Sequence, residues 1–198
     1  RYLESSRRLG DGVDVSNGAA AARVVAEKVS DLVVNGDTSI NLNGNTIYGL
    51  TSHPDRNTDT AANYGGGDWG TIGNIIPTIG GMIAAAQNAG YYGPYGVFVS
   101  NTQYRQAAHT FYTDGSGQTP LERMMMMPEI DFVEQTGELA DGVVVLVTLR
   151  MDVVEVARVD AYYPVTNVEW ASGDGMLNQF KVMSVAVPII KSDASGNS

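Results

Sequence analysis

Residues 71–109 constrain this chain more than any other stretch. Ile72, Ile75, Ile76, Ile79, Met82, Ile83 and Ala86 recur at intervals of three and four. Such spacing places all seven on one face of a helix that must be buried. Pro77 lies inside the pattern, so either a kink or a helix that begins only at Pro77 is expected there. Gly90 is placed to end the helix. Val97-Phe98-Val99 is short and wholly apolar, as a central strand is. Ser100 or Asn101 can cap a following helix that turns Tyr104, Ala107 and Ala108 inward. This helix–strand–helix unit holds one arginine (Arg105), one histidine (His109) and no carboxylate. A well-specified core without reactive groups points to a structural role.

The flanking sequence supplies the other elements. Residues 1–12 form a polar lead-in whose Arg1, Arg7 and Arg8 make a basic cluster, which reads either as a solvated arm or as an arm that reaches a neighbouring acidic subunit. Residues 14–36 form a second amphipathic helix. Ala22, Val25, Val29, Leu32 and Val33 share its apolar face, with Arg23, Glu27, Lys28 and Asp31 away from it. Ser16 or Asn17 can cap it, and Asn35-Gly36 ends it. Asn43-Gly44 between two alternating runs (39–42 and 45–50) signals a hairpin. A polar, glycine-rich loop covers 51–67. Asp114-Gly115-Ser116-Gly117 reads as a flexible turn. Thr119-Pro120 then starts a helix that ends in four consecutive methionines, 124–127. Four in a row cannot all face one core, so some serve a second surface.

From residue 129 onward strands dominate: 130–133; 143–149, apolar on both faces as a central strand is; 165–171; and 180–190, where Pro188 implies an edge or bulge. Residues 151–159 fit a strand or a short helix. Glu138–Gly142 and 172–175 read as turns, and 192–198 as a flexible tail. The order is α+β rather than a regular βαβ series.

Composition narrows the function. The 198 residues fit one domain or two small lobes, with 43% hydrophobic and only 17% charged residues. So little charge suggests that much of the surface meets something other than water, as in a large oligomer. The net charge of −10 excludes a generally basic nucleic-acid binder. With no cysteine, disulfides and thiolate metal sites are excluded. No apolar run is long enough to span a bilayer, and no signal-peptide pattern is present. The chain opens at Arg1 rather than Met and reads as a processed product or fragment.

Motifs for catalysis are weak. Gly65-Gly66-Gly67-Asp68-Trp69-Gly70 matches G-x-G-x-x-G, but a polar loop precedes it and no acid follows before Asp114. His53-Pro54-Asp55 reads as a turn, and His53 and His109 fall in no metal-binding pattern. Asp11, Asp14 and Asn17 lack calcium-loop spacing. No nucleophile elbow occurs. No catalytic, cofactor or metal residue is therefore expected.

Several pieces nevertheless fall in a recognisable order. The amphipathic helix ending at Asn35-Gly36 is followed by Asn45-Thr46-Ile47-Tyr48-Gly49-Leu50, then Asp68-Trp69, the long helix, and Tyr92-Gly93-Pro94-Tyr95-Gly96-Val97-Phe98-Val99-Ser100. Val168-Glu169-Trp170, Phe180-Lys181-Val182-Met183 and Val187-Pro188-Ile189-Ile190-Lys191 stand near the end. From about residue 10 to 193 this resembles the major capsid proteins of tailed viruses and the encapsulin shell proteins, with the Hong Kong 97-type fold. The resemblance implies a peripheral domain (13–67 and 149–178) and an axial domain (68–148 and 179–198). Residues 1–12 would be the end of an extended loop or arm.

The resemblance further implies a subunit that assembles with itself into pentamers and hexamers of a closed icosahedral shell. Packaged DNA would lie on the inner face of a virion formed in host cytoplasm, or protein cargo in the encapsulin alternative, with decoration or scaffolding proteins as further partners. Inter-subunit contacts are expected at Arg1, Arg7, Arg8 and at Asp114, Gly115, Ser116 and Gly117, the latter near the capsomer axis. A small hydrolase or ligand-binding α+β domain is the rival from another class.

Overall fold

The computed structural model describes residues 16–159, 167–172 and 178–191. Helix α1 (Ser16–Asn35) runs directly into strand β1 (Gly36–Leu42), which pairs antiparallel with β2 (Asn45–Tyr48). The turn between them holds Asn43 at φ 55° and Gly44 at φ 88°. Both residues are left-handed, as the tight hairpin turn that matches strand twist requires. The first strand begins at Gly36, ahead of the alternation visible in sequence, and carries an irregularity between Asp37 and Asn41. Along α1 the face of Ala22, Val25, Val29, Leu32 and Val33 is half-buried, while Arg23, Glu27 and Lys28 are exposed. The hairpin exit closes back on this helix. Leu50 N–H donates to the Val33 carbonyl (3.1 Å) and Thr51 N–H to that of Val34 (2.8 Å), satisfying acceptors that a helix C-terminus leaves open.

The 71–90 stretch forms a 3-10 turn (Ile72–Asn74) followed by α2 (Ile75–Asn88). Pro77 is the third residue of α2, in the first turn, where the N–H it lacks has no intrahelical acceptor in any case. The helix therefore starts two residues before Pro77. It ends in a Schellman arrangement. Gly90 N–H donates to Gln87 O and Tyr91 N–H to Ala86 O, both at 3.0 Å.

A three-stranded sheet carries the core. β3 (Tyr95–Val99) is its centre, parallel to β4 (Ile130–Gln135) on one side and antiparallel to β5 (Val144–Thr148) on the other. Tyr95 N–H donates to Glu129 O and Leu149 N–H to Pro94 O, each at 2.8 Å, so the start of β3 is held from both flanks. The parallel connection passes through α3 (Asn101–His109) and α4 (Pro120–Met125), one βαβ crossover in a chain of otherwise α+β type. Ile75, Ile79, Tyr95, Val97, Val99, Ala107 and Met124 are fully buried here, with Trp69 and Ile130 beside them. Each such aliphatic side chain contributes about 1.5–3 kcal/mol on burial. The buried face of α3 also includes Gln103, a polar residue that apolar periodicity passes over. Ser100 stands at the cap position, but its hydroxyl bonds Gln103 Oε1 rather than the helix backbone. The same oxygen accepts Gly142 N–H at 2.9 Å.

Three expectations are corrected. Strand β5, expected to be central, lies at the sheet edge. Its second side faces a cleft with Met82, Ala85, Ala86, Val153 and Ile190, so side chains do the covering that a neighbouring strand was expected to do. The long last strand, 180–190, is two strands, β8 (Asn178–Met183) and β9 (Ala186–Ile190). β8 pairs with β7 (Asn167–Ser172), and β9 pairs with β6 (Val154–Arg158), which resolves the ambiguity over 151–159 in favour of strand. Third, the turn expected at 172–175 does not include Ser172, which ends β7; residues 173–175 lie outside the described residues. Pro188 lies opposite Val156 in a two-stranded sheet, where each strand is an edge.

The strands of 178–190 find their partners in β6 and β7 and pack on α1.

Candidate assembly surface

After α3 the chain passes Phe111 and Tyr112, turns through 113–118 and enters α4. Thr119 caps that helix reciprocally. Its hydroxyl accepts Glu122 N–H (3.2 Å), and the Glu122 carboxylate accepts Thr119 N–H (2.8 Å). Pro120 follows at the first helical position, as the Thr-Pro pair implies. Thr119→Ala should lower unfolding free energy by about 1 kcal/mol in a urea titration; an unchanged midpoint and slope would count against the capping box.

Helix geometry divides the methionines. Met124 is fully buried and Met127 half-buried against the core, while Met125 and Met126 are 50% and 67% exposed. Successive helical residues are rotated by about 100°, so a run of four must straddle the surface. Phe111, 61% exposed, precedes the loop that Gln118 ties to this helix end through a contact from its amide nitrogen to Met126 Sδ at 3.7 Å.

The loop expected to be flexible is tied to α4 through Arg123. This guanidinium pairs with Asp114, donates to Ser116 Oγ (3.0 Å) and Gln118 Oε1 (3.1 Å), and lies 3.7 Å over the Tyr112 ring. Asp114 also accepts Ser116 N–H at 3.0 Å and the Ser116 hydroxyl at 2.6 Å. Gly115 and Gly117 take φ of 81° and 66°, which lets the chain fold back on that carboxylate.

The Ser116 hydroxyl, then Arg123, hold the Asp114 carboxyl well below the usual carboxylate range. A depressed folded pKa stabilises fully above the unfolded value, about 3.9, and is lost as pH falls through the folded one. Measured against the intrinsic exchange rate at each pH, the Ser116 and Gln118 amides should therefore be protected at neutral pH, and that protection should fall as pH drops below about 4. In Asp114→Asn the protection should be reduced at neutral pH as well. Equal protection in the variant and the parent at pH 7 would rule out the latch.

Among the sequence-predicted contact residues, Asp114, Gly115, Ser116 and Gly117 thus form one loop that Arg123 ties to α4 and to the Tyr112 ring, with Met126 beside Gln118; the exposed Phe111 comes just before this loop in the chain. Arg1, Arg7 and Arg8 lie outside the described residues. Arg123 and Phe111 escaped the sequence reading. Arg123 meets Asp114 across nine positions, which no local spacing flags, and Phe111 is a single aromatic without a pattern. Exposed Phe111, Met125 and Met126 flank the ion-paired loop, and apolar and charged side chains of these kinds also make up protein–protein contacts. A second exposed apolar pair, Val187 and Ile189, lies on one face of β9, and exposed Val185 comes just before that strand, its carbonyl accepting Val159 N–H at 3.2 Å.

Reactive chemistry finds little support. The glycine-rich run is a packing device. A Cβ on Gly66 would meet Thr78 Oγ1 at 1.9 Å, and one on Gly81 the Tyr64 carbonyl oxygen at 2.0 Å, so loop and helix backbones touch where a phosphate would have to sit. His53 stands edge-on to Tyr48 (5.8 Å), and its Nδ1 accepts Asp55 N–H at 3.3 Å, as a turn requires. A cleft of about 540 Å³ runs between the end of α1, the loop at 53–59 and β5; His53, Arg56 and Asp59 are the charged or histidine side chains among its described lining. Among the described residues no group of three or more His, Asp or Glu is placed to hold a metal ion. No described helix is long and apolar enough to cross a membrane.

The architecture is one found in shell-forming proteins. Residues superpose on the capsid of Myoviridae phage XM1 with a TM-score of 0.63 at 18% identity, covering 96% of this chain and 65% of that one. A virus-like particle from Pyrococcus furiosus matches with a TM-score of 0.53 at 16% identity over 72% of this chain and 55% of its own. The chain therefore spans under two thirds of the length of either neighbour. By sequence, the chain belongs to a family of unknown function (DUF6260), whose profile matches residues 3–198. A search of curated proteins gave no match.

Proposed function

We propose that this chain is a structural shell subunit, a virus major capsid protein whose copies assemble into pentamers and hexamers of a closed icosahedral particle enclosing DNA. The observation that carries the reading is the likeness to a phage capsid over 96% of the chain. The exposed Phe111 and Met126 side chains on either side of an ordered loop support it. Its work is assembly rather than catalysis. In this reading the 68–148 unit forms the axial lobe with the Asp114–Gly117 loop near the capsomer axis. The α1 helix and the hairpin belong to the peripheral lobe. Arg1, Arg7 and Arg8 reach an acidic neighbour.

Negative-stain microscopy of the purified protein tests this directly. Closed particles tens of nanometres across are expected, whereas a monomer at micromolar concentration would end the shell reading. A second reading, a nanocompartment shell around protein cargo, draws on the likeness to a virus-like particle and on the net charge of −10, which repels nucleic acid. Ultraviolet absorbance ratios of the particles separate the two.

A further inference from the structure

We propose that Asn43 is a site of spontaneous, non-enzymatic deamidation, and that Asn35, another of the three asparagines followed directly by glycine (the third is Asn17), is protected by the fold. Both positions offer the same local chemistry. The Gly backbone nitrogen, its proton taken by hydroxide, attacks Cγ of the preceding asparagine. An N–C bond forms, the Cγ–Nδ2 bond breaks, and ammonia leaves with a proton from water. The resulting succinimide then takes up one water. Opening at Cγ gives aspartate, and opening at the backbone carbonyl gives isoaspartate. The net change is loss of ammonia and gain of water, with no oxidant or cofactor.

Structure separates the two sites. At the hairpin tip Asn43 and Gly44 are exposed, and nothing lies within 4 Å of the Gly44 α-position. Among the described residues the Asn43 carboxamide makes no hydrogen bond, so it is free to swing toward the Gly44 nitrogen. One bond has to open, from Gly44 N–H to Asn41 Oδ1 at 2.7 Å. The Asn35 carboxamide is held at three points. It donates to Asp31 Oδ1 and to the Glu138 carbonyl, each at 2.9 Å, and accepts from Thr51 Oγ1 at 2.9 Å. Gly36 is pressed against the backbone, with Gly49 N and Ile47 O both 2.5 Å from where a Cβ would stand. Swinging the Asn35 amide toward Gly36 would break all three bonds with no room to move.

Each event at Asn43 adds a negative charge to a chain already at −10. The isoaspartate product also lengthens the backbone by one atom between Leu42 and Asn45, which pair directly across the turn. The modification therefore changes hairpin register as well as charge.

The test incubates the full-length protein at mildly alkaline pH and 37 °C and follows both sites by peptide mass spectrometry with isoaspartate detection. A parallel sample is held unfolded in urea. In the folded protein Asn43 should convert at least about tenfold faster than Asn35, a barrier difference of about 1.4 kcal/mol. In urea the two should convert at similar rates. Comparable rates in the folded protein, or Asn35 converting faster, would overturn the proposal. So would an Asn43 that stays intact when folded over a period in which it converts in urea.

Discussion

Subunits carrying both Phe111→Glu and Met126→Glu should remain folded and fail to form particles. The two side chains are 61% and 67% exposed, so in the isolated subunit each change falls in the surface class, within about 0.5 kcal/mol. In an assembled shell the same positions would be buried between copies. There each lost apolar contact removes about 1.5–3 kcal/mol, and an unpaired carboxylate taken out of water adds several more. At about 1.4 kcal/mol per factor of ten, two such sites weaken each contact by roughly four orders of magnitude or more. A closed shell repeats every contact many times, so the loss should be all-or-none at working concentration. Light scattering after size exclusion measures particles, and circular dichroism checks the fold. Val24→Glu, on the exposed side of α1 at 57% exposure, is the control for a surface charge elsewhere. A folded double variant that still forms particles at the parent's concentration would remove this patch from the assembly surface.

What the sequence could and could not convey follows from the range over which each signal acts. The face of α2 was readable because a period of three to four fixes which side is buried, whatever buries it. The Thr119–Glu122 cap and the Asn43-Gly44 turn were readable because their partners lie within a few residues. The edge position of β5 was not. Valine on both faces reports that both are covered, and side chains across a cleft cover as well as strands do. Nor was the division of 178–190, since choosing β7 for one half and β6 for the other is settled by long-range pairing. At the candidate site the position of the 114–117 loop was visible, but its order was not. The ordering cation is Arg123, and only the fold brings it to Asp114. Residues 1–12, on which three of the seven expected contact residues fall, lie outside the described residues.

The glycine pair of α2, Gly80-Gly81, gives the sharpest test of packing, because adjacent residues should respond with opposite sign. Gly81 faces the 61–67 loop, where a Cβ would stand 2.0 Å from the Tyr64 carbonyl oxygen and 2.6 Å from its carbon. Both neighbours are backbone, so no side chain can rotate away. The loop would have to lift off the helix, and with it the close approach of Gly66 to Asn74 O and Thr78 Oγ1. Gly81→Ala should therefore cost about 3 kcal/mol, at the upper end of overpacking changes. Gly80, one residue earlier, is exposed with nothing within 4 Å of its α-position. There alanine adds only its helix preference and should stabilise by up to about 1 kcal/mol. For a chain of this size each kcal/mol moves the melting temperature by about 2–4 °C, so the two variants should separate by roughly 8–16 °C. Calorimetry on dissociated subunits reads this without a contribution from assembly. If Gly81→Ala melts at or above the parent, backbone contact is not what places glycine at 81, and the glycine-rich loop would need another reason for its composition.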